Sequence, residues 1–187
     1  MILFLILLKI FTRSTQIYKE KKINNFLQHY PQNIIDDVNT LIKNNQLDKY
    51  LKNKYNSQHQ ITSDKALYTY VSKLKNMYFK KYNLHKVLFD SKINVINNAL
   101  GLHTFISRVQ GNKLKAKNEI RISHIFKDAP KEFLEMIVVH ELAHLKEKEH
   151  NKPFYKLCHH MLDNYSQVEF DLRLYLFNDN LKKKNNT

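Results

Sequence analysis

The stretch Val138–His150, VVHELAHLKEKEH, gathers three histidines in thirteen residues, directly after an apolar run. His140 and His144 are four apart. On an α-helix that spacing stacks two side chains on one face, one turn from each other. Two imidazoles so placed can share a metal ion, and Glu141, next to the first histidine, projects beside the same face, within reach of a water there. This is the H-E-x-x-H pattern of two zinc ligands and a general base. Neutral imidazole binds Zn²⁺ at about 2.0–2.1 Å, and a catalytic zinc keeps one position open for a water whose pKa falls to about 7.

Three fixed residues recur by chance in unrelated helices, so the surroundings carry weight. Phe133, Leu134, Ile137, Val138, Leu142 and Leu145 give the segment the apolar periodicity of a core helix. Pro130 suits a first turn, and Asp128 and Glu132 suit the positive end of the helix dipole. Two buried histidines and a buried glutamate without a partner would be costly; a metal satisfies them. Two protein ligands are too few. His150, six residues after His144, has the spacing of the extended motif H-E-x-x-H-x-x-G-x-x-H. Glu147 stands at the glycine position, so the returning turn must differ from the metzincin one. Glu169, Asp163, His159 and His160 are the other candidates for third ligand, behind His150.

The elements that must position these residues read as follows. Helical spacing covers about 31–53 as one or two helices. Ser63 or Asp64 caps another, to about Tyr82, with Leu67, Val71, Leu74 and Phe79 inward. The period then changes: Lys86–Phe89 and Lys92–Ile96 read as strands, and Thr104–Val109 with Glu119–Ser123 as a hairpin pair around Gly111-Asn112. After the histidine helix come helices near Pro153–Leu162, begun at the break of Asn151 and Pro153, and near Val168–Phe177. The expected architecture is α+β: N-terminal helices, a small mainly antiparallel sheet, the H-E-x-x-H helix and C-terminal helices. It divides into an apolar extension over 1–23, one domain over 24–178 and a frayed polar tail over 179–187. Glu119–Ser123 is the candidate edge strand for binding an extended peptide by strand addition.

Composition bounds the rest. The 187 residues are 43% hydrophobic, enough for a domain with a real core. A single cysteine, Cys158, excludes an internal disulfide and fits a reducing compartment; beside His159 and His160, it reads as a small buried side chain. The net charge of +14 points to an anionic partner or a solvated basic surface, which could bind nucleic acid weakly. No Gly-rich phosphate loop is present, and Lys113, Lys115 and Lys117 are the candidates for neutralising phosphates. The N-terminal run MILFLILLKIF has about half the roughly 20 residues needed to span a bilayer, and lacks a charged leader and a cleavage site. These features argue against membrane targeting; a cytoplasmic protein with dispensable residues before about Asn24 is expected.

HELAHLKEKEHNKPFYKLC resembles the signature of the YgjP-like metallopeptidase family. Supporting stretches are Ser63–Tyr68, Asn98–Thr104, Ser107–Gly111, Lys113–Lys117, Glu119–Arg121 and Val168–Leu176, so the resemblance runs from about Tyr30 to Phe177. The family often carries a Trp-Gly-Ser-Cys type segment where this chain has Leu100-Gly101-Leu102-His103. The resemblance implies a zincin-like domain with zinc on His140, His144 and His150 and Glu141 as general base. It implies a zinc metallopeptidase acting on a peptide or protein substrate. Some proteins of this type are labelled UTP pyrophosphatases, so the alternative is a nucleotide substrate at the same metal site.

Overall fold

Apolar residues recurring every three to four positions form helices because only that period gathers them on one buried face. α1, Gln32–Lys43, buries Ile35, Val38 and Ile42, and α2, Leu47–Lys54, buries Leu47 and Leu51. Asn45 turns the chain between them with φ 54°, a left-handed conformation that asparagine tolerates. The computed structural model describes residues 23, 27, 29–93, 101–110 and 113–185, and only the backbone of 101–110, 113–117, 180, 181 and 183–185. The apolar run at the extreme N-terminus lies outside the described residues. Among the described residues no helix is long and apolar enough to cross a membrane.

The chain divides into two compact units. One ends at Lys54 and resumes at Arg173; the other spans Tyr55–Leu172. In the first, Ile23, Leu27, Leu174 and Phe177 join the core. Asp48 is its polar anchor. Lys52 lies 2.9 Å from one carboxylate oxygen, Asn178 donates to the other at 2.9 Å, and Lys182 closes on the same oxygen. The Lys182 contact first, then Lys52, holds the Asp48 carboxyl down to about 2. Asn178 and Lys182 are four apart on the C-terminal helix, whose axis continues to Asn185. The tail expected to fray beyond Asn178 is helical to Asn185, and Lys182 within it meets the Asp48 carboxylate.

In the second unit Ser63 caps α3, Asp64–Tyr78, its side chain accepting from the Ala66 amide at 3.2 Å. Leu67 and Val71 face in, and the helix stops short of the expected Tyr82 as Phe79 turns into the core. Asp64 accepts from the Phe89 amide at 2.9 Å, tying α3 to the sheet. The sheet has strands β1, Lys86–Asp90, β2, Gly101–Gln110, and β3, Lys113–Ser123, in the order β1-β3-β2. The hairpin β2–β3 is antiparallel, but β1 runs parallel to β3, so the sheet is mixed where an antiparallel one was expected. A parallel pair needs a long crossover; the chain makes it by laying β2 beyond β3 before returning between the two. Gly111-Asn112 and the later part of the expected strand Lys92–Ile96 lie outside the described residues. Glu119–Ile122 pairs with both neighbours, and Ser123 with Asp90. The expected peptide-binding edge is thus an interior strand, as its fully buried Ile120 and Ile122 require. On its other face Arg121 bridges Asp90 at 2.9 Å and Glu119 at 2.8 Å.

A 3₁₀ turn, His124–Lys127, leads to α4, Lys131–Ala143, which is apolar nearly all round. Such a helix must be covered on every side. α5, Lys152–Met161, and α6, Tyr165–Asn185, follow. Tyr55 packs on Phe133 of α4 with ring centroids 4.5 Å apart, and its hydroxyl donates to buried Asp171 at 2.6 Å. Tyr55→Phe keeps the ring packing and removes this bond. It should cost about 1–3 kcal/mol in urea denaturation; an unchanged midpoint would show that Asp171 is satisfied without it.

Candidate metal centre

The burial of α4 brings the histidines to one place. His140 lies in its last turn, and His144 caps the helix with helical backbone angles (φ −65°, ψ −14°). The chain then turns through Lys146 and Glu147, whose amides both bond to the Ala143 carbonyl. Among the described residues no non-glycine other than Asn45 has a positive φ. This turn therefore makes no demand for glycine, and Glu147 fits where the longer motif has one. His150 comes back at its end. Asn151 immediately caps α5, its side chain accepting from the Phe154 amide at 2.9 Å, with Pro153 in the first turn.

The ligand atoms offered by His140, His144 and His150 all lie within 4.8 Å of one another. The rings are mutually 4.8–5.1 Å apart by centroid. Fully buried Phe154 sits 5.0, 4.7 and 4.7 Å from the three of them, a common floor. His150 Nε2 faces His140 Nε2 at 3.0 Å. Two nitrogens bound to one tetrahedral zinc are about 3.3 Å apart, given bonds of 2.0–2.1 Å, so the spacing fits a shared ion. The donor chemistry fits too. His144 Nδ1 lies 3.0 Å from the Glu147 carbonyl oxygen; that oxygen can only accept, so Nδ1 carries the proton and Nε2 keeps its lone pair. Burial, the largest effect on His144, lowers its pKa and favours the neutral, metal-binding form.

Glu141 is not one of the residues of the histidine cluster and is 2% exposed. Burial pushes its carboxyl up to about 8. Among the described residues the other expected ligand candidates stay apart from the cluster. His159 donates through Nδ1 to the Asp163 carbonyl at 3.2 Å and meets Ser166 Oγ at 2.8 Å, and His160 lies edge-on to Tyr78 at 5.6 Å. Glu169 and the Asp163 side chain are not in the cluster either. Cys158 is fully buried, as expected, and burial raises its thiol to about 12. The side chains of Lys113, Lys115 and Lys117 lie outside the described ones. Sequence spacing missed Tyr165, whose hydroxyl is 2.7 Å from His140 Nδ1, and the role of Phe154. A cavity of about 450 Å³ lined by Ser57, His59, Lys127 and Pro130 opens at the opposite end of α4 and includes no member of the cluster.

A family model described as "YgjP-like, metallopeptidase domain" matches residues 9–175. The chain is 54% identical over 152 residues to a UTP pyrophosphatase of Escherichia coli (strain K12), an overlap covering 81% of this chain and 91% of the relative. No solved structure matches the chain.

The Glu141 carboxyl, raised by burial, has a consequence in metal-free protein. A carboxyl whose folded pKa lies above its unfolded value of 4.5 favours the fold below pH 4.5, and that contribution is lost as pH rises towards about 8. Glu141→Gln removes the loss. In melts of chelator-treated protein the Gln variant should gain on wild type steadily from pH 5 to pH 8, by on the order of a few kcal/mol at most. Parallel melting curves across that range would refute the raised pKa.

Proposed function

Since this chain belongs to the YgjP-like metallopeptidase family, we propose that it is a zinc-dependent hydrolase whose substrate is a nucleoside triphosphate, UTP being the first choice. Zinc rests on His140, His144 and His150, and general base catalysis on Glu141. The observation that carries the hydrolase reading is the convergence of three imidazoles on one point, with a buried carboxylate one residue from the first.

When bound, the metal supplies Lewis acidity against the negative charge that develops on phosphoryl oxygens. The protein supplies the rest. His140, His144 and His150 hold the ion on a rigid floor of Phe154, so little reorganisation is needed during reaction. Glu141 takes the proton of the attacking water. A general base works best with a pKa near the working pH, and burial moves Glu141 in that direction. Water adds at phosphorus, the phosphoanhydride opens, and the products are the nucleoside monophosphate and pyrophosphate.

Three observations support the nucleotide. The Escherichia coli UTP pyrophosphatase is similar over nearly its whole length. The strand expected to bind a peptide has both edges paired. Exposed Lys146, Lys148 and Lys152 flank His150 in a chain of net charge +14, which suits a polyanion. The second reading, a peptidase using the same groups, is supported by the description of the family as a metallopeptidase domain and by the H-E-x-x-H arrangement.

Zinc-loaded protein assayed in parallel on UTP and on casein separates the two. Pyrophosphate release from UTP with intact casein is the expected result; casein cleavage with untouched UTP would replace the nucleotide by a peptide. Glu141→Gln should keep its zinc and lose about 10²–10⁴-fold in rate on whichever substrate is real; loss of zinc instead would make Glu141 a ligand. His150→Ala should lose zinc in a chelator competition, and full retention would return the third-ligand role to Glu169.

A further inference from the structure

The connection Tyr55–Thr62 and the turn Lys127–Pro130 enclose the cavity of about 450 Å³ at the N-terminal end of α4. That volume is in the range of small-molecule sites. Exposure alternates along Tyr55–Gln60, with Tyr55, Ser57 and His59 turned inward. Each of the three is held. The Tyr55 hydroxyl is spent on Asp171, the Ser57 hydroxyl bonds to Glu132, and the Ser57 carbonyl accepts from the Lys131 amide at 3.3 Å. His59 accepts from the Ile61 amide at Nδ1 and gives its Nε2 proton to the Phe126 carbonyl, both at 3.1 Å. The wall is thus fixed in advance of any ligand, which lowers the cost of binding one.

The rim is different. Asn56, Gln58, Thr62 and Asp128 are exposed, and among the described residues their side chains make no hydrogen bond or ion pair. Lys127, also on the cavity, carries its ammonium 5.1 Å from the centroid of the Phe89 ring, a contact that steadies it. These five groups ask for three things at once. The amides of Asn56 and Gln58 each present a donor beside an acceptor, which matches the edge of a nucleobase. Thr62 can give or accept and Asp128 accepts, which suits the hydroxyls of a ribose. Lys127 suits a phosphate. An inorganic anion would use Lys127 alone and would face the Asp128 carboxylate. A neutral sugar would leave Lys127 unused, and an apolar ligand would strand all five groups. A triphosphate brings more negative charge than one ammonium beside a carboxylate can meet.

We propose that this cavity is a second nucleotide site, separate from the metal centre, whose ligand is a nucleoside monophosphate: base on Asn56 and Gln58, ribose on Thr62 and Asp128, phosphate on Lys127. No residue of the histidine cluster lines it. The two sites stand at opposite ends of α4, whose 13 residues span about 20 Å. Cleavage of a nucleoside triphosphate to pyrophosphate leaves this same ligand, so the choice of uridine rests on the reading of the chain as a UTP hydrolase.

The test titrates full-length, zinc-loaded, ¹⁵N-labelled protein with uridine 5′-monophosphate and follows the backbone amides. Those of residues 56–62 and 127–129 should move. Lys127→Ala should weaken the monophosphate by about 10–100-fold, the worth of a charge-assisted bond, and leave the binding of uridine itself unchanged. Gln58, exposed on the rim, gives a second variant that spares the core. Gln58→Leu should weaken the monophosphate about 2–10-fold and leave ribose 5-phosphate as it was. Shifts confined to residues 140–154, no shifts at all, or equal affinity for ribose 5-phosphate and the monophosphate would each overturn the proposal. If UTP releases pyrophosphate but the cavity amides stay still, the second site fails alone. If UTP is untouched while the cavity amides move and Lys127→Ala abolishes it, the hydrolase reading fails and the site stands.

Discussion

The ring of Phe154 fixes the geometry of the whole site. Three imidazoles can converge only if something of the right size lies beneath them, and Phe154 touches all three at nearly equal distance. Its own position is set from two sides. Asn151 starts α5 by capping the Phe154 amide, and the core closes completely over its ring. The histidines thus come from three different backbone settings, the last turn of a helix, its C-cap and a loop. A single buried aromatic holds them together, and apolar packing does the positioning for a polar task.

The same logic explains why α4 is so apolar. A helix that carries two residues of the candidate site in its last turn must not rotate or slide, because a helix residue displaced by one position turns by about 100°. Cover on every face removes that freedom. Phe133, Leu134, Met136, Ile137, Val138 and Val139 are all buried, and Tyr55 adds a ring tilted against Phe133 and joined by hydrogen bond to Asp171. The sheet contributes through β3, whose Ile120 and Ile122 are likewise closed in. Placing β3 in the middle makes it the best supported strand.

What could be read from the sequence follows the range of the interaction involved. The pair His140 and His144 was legible because i, i+4 is a property of the helix itself, and Ser63 because a cap acts on an amide three residues away. His150 was legible as a candidate, though the ordinary backbone that lets Glu147 replace glycine was not. Tyr165 was invisible: it meets His140 across 25 residues through a helix–helix contact that no local spacing encodes. The reading of Glu119–Ser123 as an edge strand failed for a similar reason. The hairpin β2–β3 is local, whereas the parallel pairing of β1 with β3 depends on where the chain goes between them. The residues after Asn178 looked like a tail because Asp48, the partner of Lys182, lies 134 residues earlier.

The contacts that His140 and His144 make through Nδ1 differ in how they withstand mutation. His140 relies on a side chain, so a single replacement at position 165 can delete its partner. His144 relies on the Glu147 main-chain carbonyl, which every amino acid possesses. Only proline is excluded there by bonding, since the Glu147 amide is committed to Ala143. Position 147 is therefore free to drift in charge and size during evolution while the imidazole beside it keeps its orientation. A comparison of relatives that looked only for invariant residues would pass over a contact on which the centre depends.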